Sequence, residues 1–222
     1  MKKLIVMIGA LCAIVTNSAA VLPVNANAHG NSYEEWSAAW WEWAFSLPAE
    51  GHPLFDETGV NAAAGQNGKV WFLGGVFNAT GTATRHIEVP SGTALLFPII
   101  NAECSTVESD PWFGSNEAEL RECVEAHISS YSNLSLEIDG ESVTDLEQFN
   151  VISPMVSMNL PEGNILGVEA GPVQFVSGGI YAMVAPLSVG THTIHFTGFS
   201  EVDNFGVDVT YIVDVQPRKK QR

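Results

Sequence analysis

The apolar positions of this 222-residue chain follow two periods, and the helical one comes first. Over residues 32–48, Tyr33, Trp36, Trp40 and Trp43 recur at i, i+3, i+7 and i+10, which is one continuous helix face. Trp41 and Phe45 lie on its flank. Ser32 and Glu35 have capping-box spacing, and Pro48 marks the stop. A second stripe of Leu120, Cys123, Val124, His127, Ile128 and Tyr131 predicts a short helix over residues 117–131. Asn116 is placed to cap it, with Glu119 three residues on.

Elsewhere the period is two. Residues 70–73, 83–89 and 94–100 read as short strands, the last nearly all apolar, as a strand buried on both faces would be. Leu134, Leu136 and Ile138 alternate and run into Asp139-Gly140, a hairpin signal. Further alternation follows at Ile180, Ala182 and Val184, at His192, Ile194 and Phe196, and at Val207, Val209, Tyr211, Val213 and Val215. Gly, Pro and Asn mark residues 51–59 and 65–68 as loops. Short strands between such turns predict a mostly β fold. The expected form is an antiparallel β-sandwich, jelly-roll-like, with an N-terminal aromatic helix and a second short helix. There is no internal repeat and no interdomain linker.

The chain start changes the picture. Met1-Lys2-Lys3, an apolar run from Leu4 to Val15 and then small residues have the form of a secretory signal. The run is too short to span a bilayer, which takes roughly 20 apolar residues. Cleavage sites follow Ala20 and Ala28; the polar, helix-starting segment beyond Ala28 favours the second. The expected organisation is a signal peptide at 1–28, one β domain at 29–216 and a basic disordered tail at 217–222. The protein is then secreted, extracellular or periplasmic, and free of the membrane once cleaved. Leu11 before Cys12 argues against lipid attachment, which wants a small residue there. Loss of Cys12 leaves Cys104 and Cys123, which read as one bridge in an oxidising compartment.

Charge is lopsided. Between residues 29 and 217 only Lys69, Arg85 and Arg121 face 25 acidic residues, a net charge of −22 with histidines neutral. Such a surface repels phosphate backbones, so nucleic acid is excluded as a partner. Cation binding or salt tolerance is the functional reading of that charge, and plain solubility the simpler one.

Candidate chemistry is sparse. No zinc-protease, nucleophile-elbow, phosphate-loop or EF-hand motif is present. His192 and His195 are three apart in an expected strand and point to opposite faces, so they make no metal pair. His127 reads as a packed, hydrogen-bonded histidine rather than a ligand. No metal and no cofactor are expected. The tryptophan stripe suits either sugar stacking or an anchor helix packed on a sheet; such stripes are usually core. Asp56 and Glu57 sit in a Pro/Gly loop, where Asp56 is placed to cap local amides. Arg85, a rare positive charge, lies in a strand expected beside residues 94–100, whose end carries Glu103. The arginine could fork onto a carboxylate. Asp56, Glu57, Arg85 and Glu103 are therefore the candidate ligand-binding residues; the simpler reading is a salt bridge fastening the loop to the sheet.

Several segments resemble a family of uncharacterised secreted bacterial proteins. They are Trp40-Trp-Glu-Trp-Ala-Phe-Ser-Leu-Pro48, His52-Pro-Leu-Phe-Asp-Glu-Thr-Gly59, Gly65-Gln-Asn-Gly-Lys-Val-Trp-Phe-Leu-Gly-Gly75, Val89-Pro-Ser-Gly-Thr-Ala-Leu-Leu-Phe-Pro-Ile-Ile-Asn101 and Pro186-Leu-Ser-Val-Gly-Thr-His-Thr-Ile-His-Phe196. The resemblance brings no established activity and no catalytic residues. It implies a second cysteine pair in members of that family. Here those regions read Val60-Asn-Ala-Ala-Ala64 and Arg85-His-Ile-Glu88, so that bridge is missing. The expected function is a non-enzymatic extracellular binding or structural module, with a hydrolase acting on a glycan or similar polymer as the alternative. The expected partner is a small molecule or glycan, and the oligomeric state is open.

Overall fold

The computed structural model describes residues 20–78 and 80–218. The expected signal up to residue 19 and the last four residues of the basic tail lie outside the described residues. The elements are α1 (Tyr33–Phe45), β1 (Val70–Phe72), β2 (Thr82–Pro90), β3 (Ala94–Ser105), α2 (Glu117–Ile128), β4 (Tyr131–Ile138), β5 (Glu141–Ser142), a 3-10 turn (Leu146–Phe149), β6 (Asn150–Ile152), β7 (Val156–Leu160), β8 (Gly171–Val184), β9 (Gly190–Ser200) and β10 (Phe205–Gln216).

Two sheets pack face to face. One has the order β1-β3-β8-β6, with β7 also paired to β8; the other runs β2-β10-β9-β4-β5. Phe97 of β3 stacks on Phe196 of β9 across the interface, with ring centroids 5.1 Å apart. Both helices lie against β3 and β8, on the outer side of the first sheet. That third layer explains why β3 is buried almost throughout while β2 alternates strictly.

The mostly β sandwich with two helices is as expected, but its sheets are mixed, not antiparallel. β1 runs parallel to β3, and β2 runs parallel to β10. Between β1 and β3 the chain visits the opposite sheet as β2, so it re-enters the first sheet in its original direction. The strand order does not establish a jelly roll.

The local signals act as their chemistry dictates. The capping box of α1 closes: Glu35 N donates to Ser32 Oγ at 3.3 Å, and Ser32 N donates to Glu35 Oε2 at 2.8 Å. Tyr33, Trp40 and Trp43 of the aromatic stripe are buried in the core, and the half-buried Trp36 packs against it. Trp40, Trp43 and Trp36 donate their indole N–H groups to the carbonyls of Leu73, Ala64 and Ala28 at 2.8, 2.9 and 2.8 Å. Each indole thus binds a loop to the helix as well as filling space. Asp139 and Gly140 both have positive φ (53° and 80°), the type I′ geometry that joins β4 to β5.

Helix α2 ends at Ile128, not at Tyr131, which opens β4. The Ser129 and Ser130 hydroxyls donate back to the carbonyls of Ala126 and His127, offering the backbone a competing arrangement. Cys104 and Cys123 are bonded, tying α2 to β3 across a sequence separation of 19. Closing a loop of that size contributes about 3 kcal/mol in the chain-entropy model. Gly178 of β8 lets α2 approach, since a Cβ there would meet Val124 Cγ1 at 2.6 Å.

Residues 20–28 are part of the packing. Leu22 N donates to Met183 O, and Tyr33 Oη donates to Leu22 O at 2.6 Å while accepting from Met183 N. Cleavage after Ala28 would remove the Leu22 partner of Tyr33 and the Ala28 partner of Trp36. Cleavage after Ala20 would leave both in place.

Candidate functional site

The four candidate residues divide between two places. Asp56 and Glu57 belong to the loop between α1 and β1, which is clamped from several sides. His52 accepts from Leu54 N at Nδ1, so its Nε2 carries the proton given to Ala44 O at 2.9 Å. Burial lowers the pKa of His52 and favours that neutral form. Asp56 accepts from Thr58 N, Thr58 Oγ1 and Asn61 N, each at 2.8 Å. Those bonds hold its carboxyl below the usual range, against the opposing desolvation, which is the largest single influence. Gly59 docks this loop on β2, where a Cβ would stand 2.6 Å from His86 O. Glu57 accepts from Asn78 Nδ2 at 2.7 Å. Asp56 is thus occupied by turn chemistry, and Glu57 takes one bond from a second loop.

Arg85 is only 1 % exposed, and it does not fork onto a carboxylate. Its Nε donates to Asp56 O at 2.7 Å, and its Nη1 faces Gly74 O, Gly75 O and Tyr211 Oη at 2.8, 2.9 and 2.6 Å. The correction is one of partner type. Arg85 does fasten the loop to the sheet, but through backbone carbonyls and a phenol. With Asp56 facing its own turn, the carbonyl dipoles were the acceptors left within reach.

Glu103 lies elsewhere. It lines a cavity of about 330 Å³ together with Trp41, Phe77, Glu108, Trp112, Asp203 and Phe205. Six parts of the chain build this space, among them the β7–β8 connection with Ile165 and Leu166. α1 supplies Trp41, the β1–β2 connection Phe77, and β3 Glu103. The loop after β3 supplies Glu108 and Trp112, and the β9–β10 turn with the start of β10 supplies Asp203 and Phe205. Asp56, Glu57 and Arg85 do not line it. Asp56 and Glu57 border a separate surface depression beside His52 and Phe55.

Glu103 is 4 % exposed. Its carboxyl is within hydrogen-bond reach of Glu108, and Oε2 meets no partner among the described residues. Burial first, then the neighbouring Glu108 charge and the bond to it, raise its pKa well above the carboxylate range. Burial and the carboxyl beside it thus favour the protonated form of Glu103. Glu108 also accepts from Ser105 Oγ at 2.8 Å.

A polar network supports one wall. Asp203 accepts from Ser200 Oγ and pairs with His127 Nδ1 at 2.9 Å. Trp112 lies flat on the His127 ring, with centroids 3.7 Å apart and planes within 4°. His127 is buried and bonded, as its place on the α2 stripe suggests. With Cys104 and Cys123 it makes a cluster within 4.8 Å, but the two sulfurs are bonded to each other.

The Glu103 environment makes a pH-dependent prediction. Its folded pKa is raised, so the fold holds a proton that the unfolded chain gives up near pH 4. The stability from this group is fully present below that unfolded value and is lost as pH rises through the folded one. Glu103→Gln keeps the volume and a donor toward Glu108 without the charge. We expect the variant to match wild type near pH 4 and to melt roughly 3 °C or more higher at pH 8, since 1 kcal/mol moves Tm by roughly 2–4 °C in a domain of this size. Melting curves across that range check it; a gain independent of pH refutes the raised pKa of Glu103.

Sequence reasoning found Glu103 but missed its surroundings. The signal for Glu103 is an acid inside the near-continuous apolar run from Ala94 to Cys104. Nothing in the sequence sets Glu108 or Asp203 apart from the other acids.

No protein-family model matches the chain, and no curated protein matches it in sequence. Solved structures that resemble it include PbICP-C, from its complex with falcipain-2. That likeness is 14 % identical with a TM-score of 0.25, covering 68 % of this chain and 100 % of that one. The cysteine protease inhibitor EhICP2 of Entamoeba histolytica is 10 % identical with a TM-score of 0.22, covering 65 % and 94 % of the two chains. Amebosin is 13 % identical with a TM-score of 0.18, covering 61 % and 96 %. These likenesses are too distant to transfer a residue or a role.

Proposed function

We propose that this is an exported binding module that holds a small organic ligand in the Glu103–Glu108 cavity. The observation that carries the reading is a buried carboxyl with an unpartnered oxygen on the wall of an aromatic space of about 330 Å³. That volume is at the small end of known ligand pockets, which run roughly 300–1,000 Å³. An isolated buried polar atom costs the fold about 1–3 kcal/mol, and a ligand that satisfies it recovers that loss. The disulfide suits an oxidising compartment. Among the described residues no helix is long and apolar enough to cross a membrane.

Glycan hydrolysis is the weaker reading. Its paired carboxyls stand roughly 5–5.5 Å apart in retaining enzymes and roughly 6.5–9.5 Å apart in inverting ones. Glu103 and Glu108 are within hydrogen-bond reach of each other, which leaves no room between them for a sugar or a water.

The test is to fill the space. Leu166 stands on the cavity wall and is only half-buried. A panel of small aromatic and aliphatic amines, alcohols and acids should contain members that raise the melting point of wild type. Leu166→Trp should fold and lose those shifts. A panel with no effect on wild type, or equal shifts in the filled variant, overturns the proposal.

A further inference from the structure

Resting on that cavity reading, we infer that the ligand is a protonated amine, which gives an N–H to Glu103 Oε2 and lays its hydrocarbon or aryl body against Trp41, Trp112, Phe77 and Phe205.

Three observations select this chemistry. The first is charge. The cavity is lined by Glu103, Glu108 and Asp203, and by no lysine or arginine. An anionic ligand would be repelled by these carboxyls and would find no cation to meet it. The second is the distribution of free acceptors. Asp203 is taken by Ser200 and His127, and Glu108 by Ser105 and Glu103. Among the described residues, Glu103 Oε2 alone of these carboxyl oxygens is buried without a donor. Asn101 gives its Nδ2 to Tyr181 Oη, which leaves its amide oxygen as a second acceptor on the same wall. A ligand with several N–H groups suits both. The third is the aromatic lining. Indole and phenyl faces attract cations through their quadrupoles, most strongly where water is excluded.

The same features disfavour a metal ion. Calcium takes six to eight oxygen ligands, and most of this wall is aromatic or aliphatic. The protein as a whole carries a formal charge of −16, which raises the local concentration of cations at its surface.

The experiment compares three probes of one shape on the full folded protein by calorimetry: 2-phenylethylamine, 2-phenylethanol and 3-phenylpropionate. The amine should bind at least roughly tenfold more tightly than the alcohol, since a hydrogen bond to a charged group is worth about 1.5–3 kcal/mol, and the acid should not bind. Glu103→Gln should abolish the preference for the amine over the alcohol. Glu57→Gln, which removes a carboxylate of the surface loop, should leave the preference intact. Equal binding of amine and alcohol overturns the amine assignment while the cavity proposal stands. Binding of none of the three, in a protein that also fails the fragment panel, overturns both. A preference that persists in Glu103→Gln, or that falls equally in Glu57→Gln, assigns the effect to the general acidic surface and overturns the role of Glu103.

Discussion

Replacing Arg85 with methionine should cost the fold about 3–5 kcal/mol and lower its melting point by roughly 10 °C. Some buried ion pairs can be exchanged for apolar residues at no loss, but only when both partners go together. Here the partners are the carbonyls of Asp56, Gly74 and Gly75, which no side-chain substitution removes. The part-buried carbonyls of Asp56 and Gly75 then face a thioether, and Gly74 O keeps only the Tyr211 hydroxyl. Tyr211 suffers as well. Its hydroxyl donates to Gly74 O and accepts from both Gly74 N and Arg85, and the guanidinium lies 5.3 Å from its ring centroid. Arg85→Lys should recover only part of the loss. One ammonium cannot span the Asp56 carbonyl and the Gly74–Gly75 pair as the planar fork does. Equilibrium denaturation of the three proteins checks the order wild type, lysine, methionine. A methionine variant as stable as wild type would mean that the arginine fastens nothing.

Trp40→Ala should be comparably damaging, at about 3–5 kcal/mol. Trp40 is 1 % exposed and packs edge-on against Trp41 and Trp43, with centroids 5.1 and 5.7 Å away. Its removal opens a large void between helix and sheet and leaves Leu73 O without its donor. The loss should appear in stability first. Trp41 forms a cavity wall and leans on Trp40, so ligand affinity should weaken as a secondary effect. A Trp40→Ala protein that melts where wild type does would contradict the core assignment and revive the sugar-platform reading of the stripe.

What could be read from the sequence was local. Ser32, Glu35 and Asn116 cap helices through side-chain bonds to backbone a few residues away. Asp139-Gly140 has only one comfortable turn. The alternation in β2, β9 and β10 needs only a wet face and a dry one. The direction of pairing is different. A strand shows the same alternation whether its neighbour runs with it or against it, so the parallel β1–β3 and β2–β10 pairs left no mark in the pattern. The site failed to show for a related reason. Glu103 stands out as a charge in an apolar run, but Glu108 becomes its partner only because the loop after β3 folds back over the strand end. Asp203 arrives from nearly a hundred residues further along. Arg85 was recognised as structurally important and given the wrong kind of partner, because unlike charges advertise themselves in a sequence and carbonyl groups do not.

The place of β10 bears on when the molecule can assemble. It is the last strand among the described residues, and it sits between β9 and β2 rather than at an edge, with Thr82 in register with Asp208 and Pro90 with Gln216. β2 has no other strand partner within its sheet, so residues 82–90 wait for residues 208–216 before their ladder can form. A chain delivered from its N-terminus keeps that half of the sandwich open until residues 208–216 have emerged. Such long-range closure slows folding.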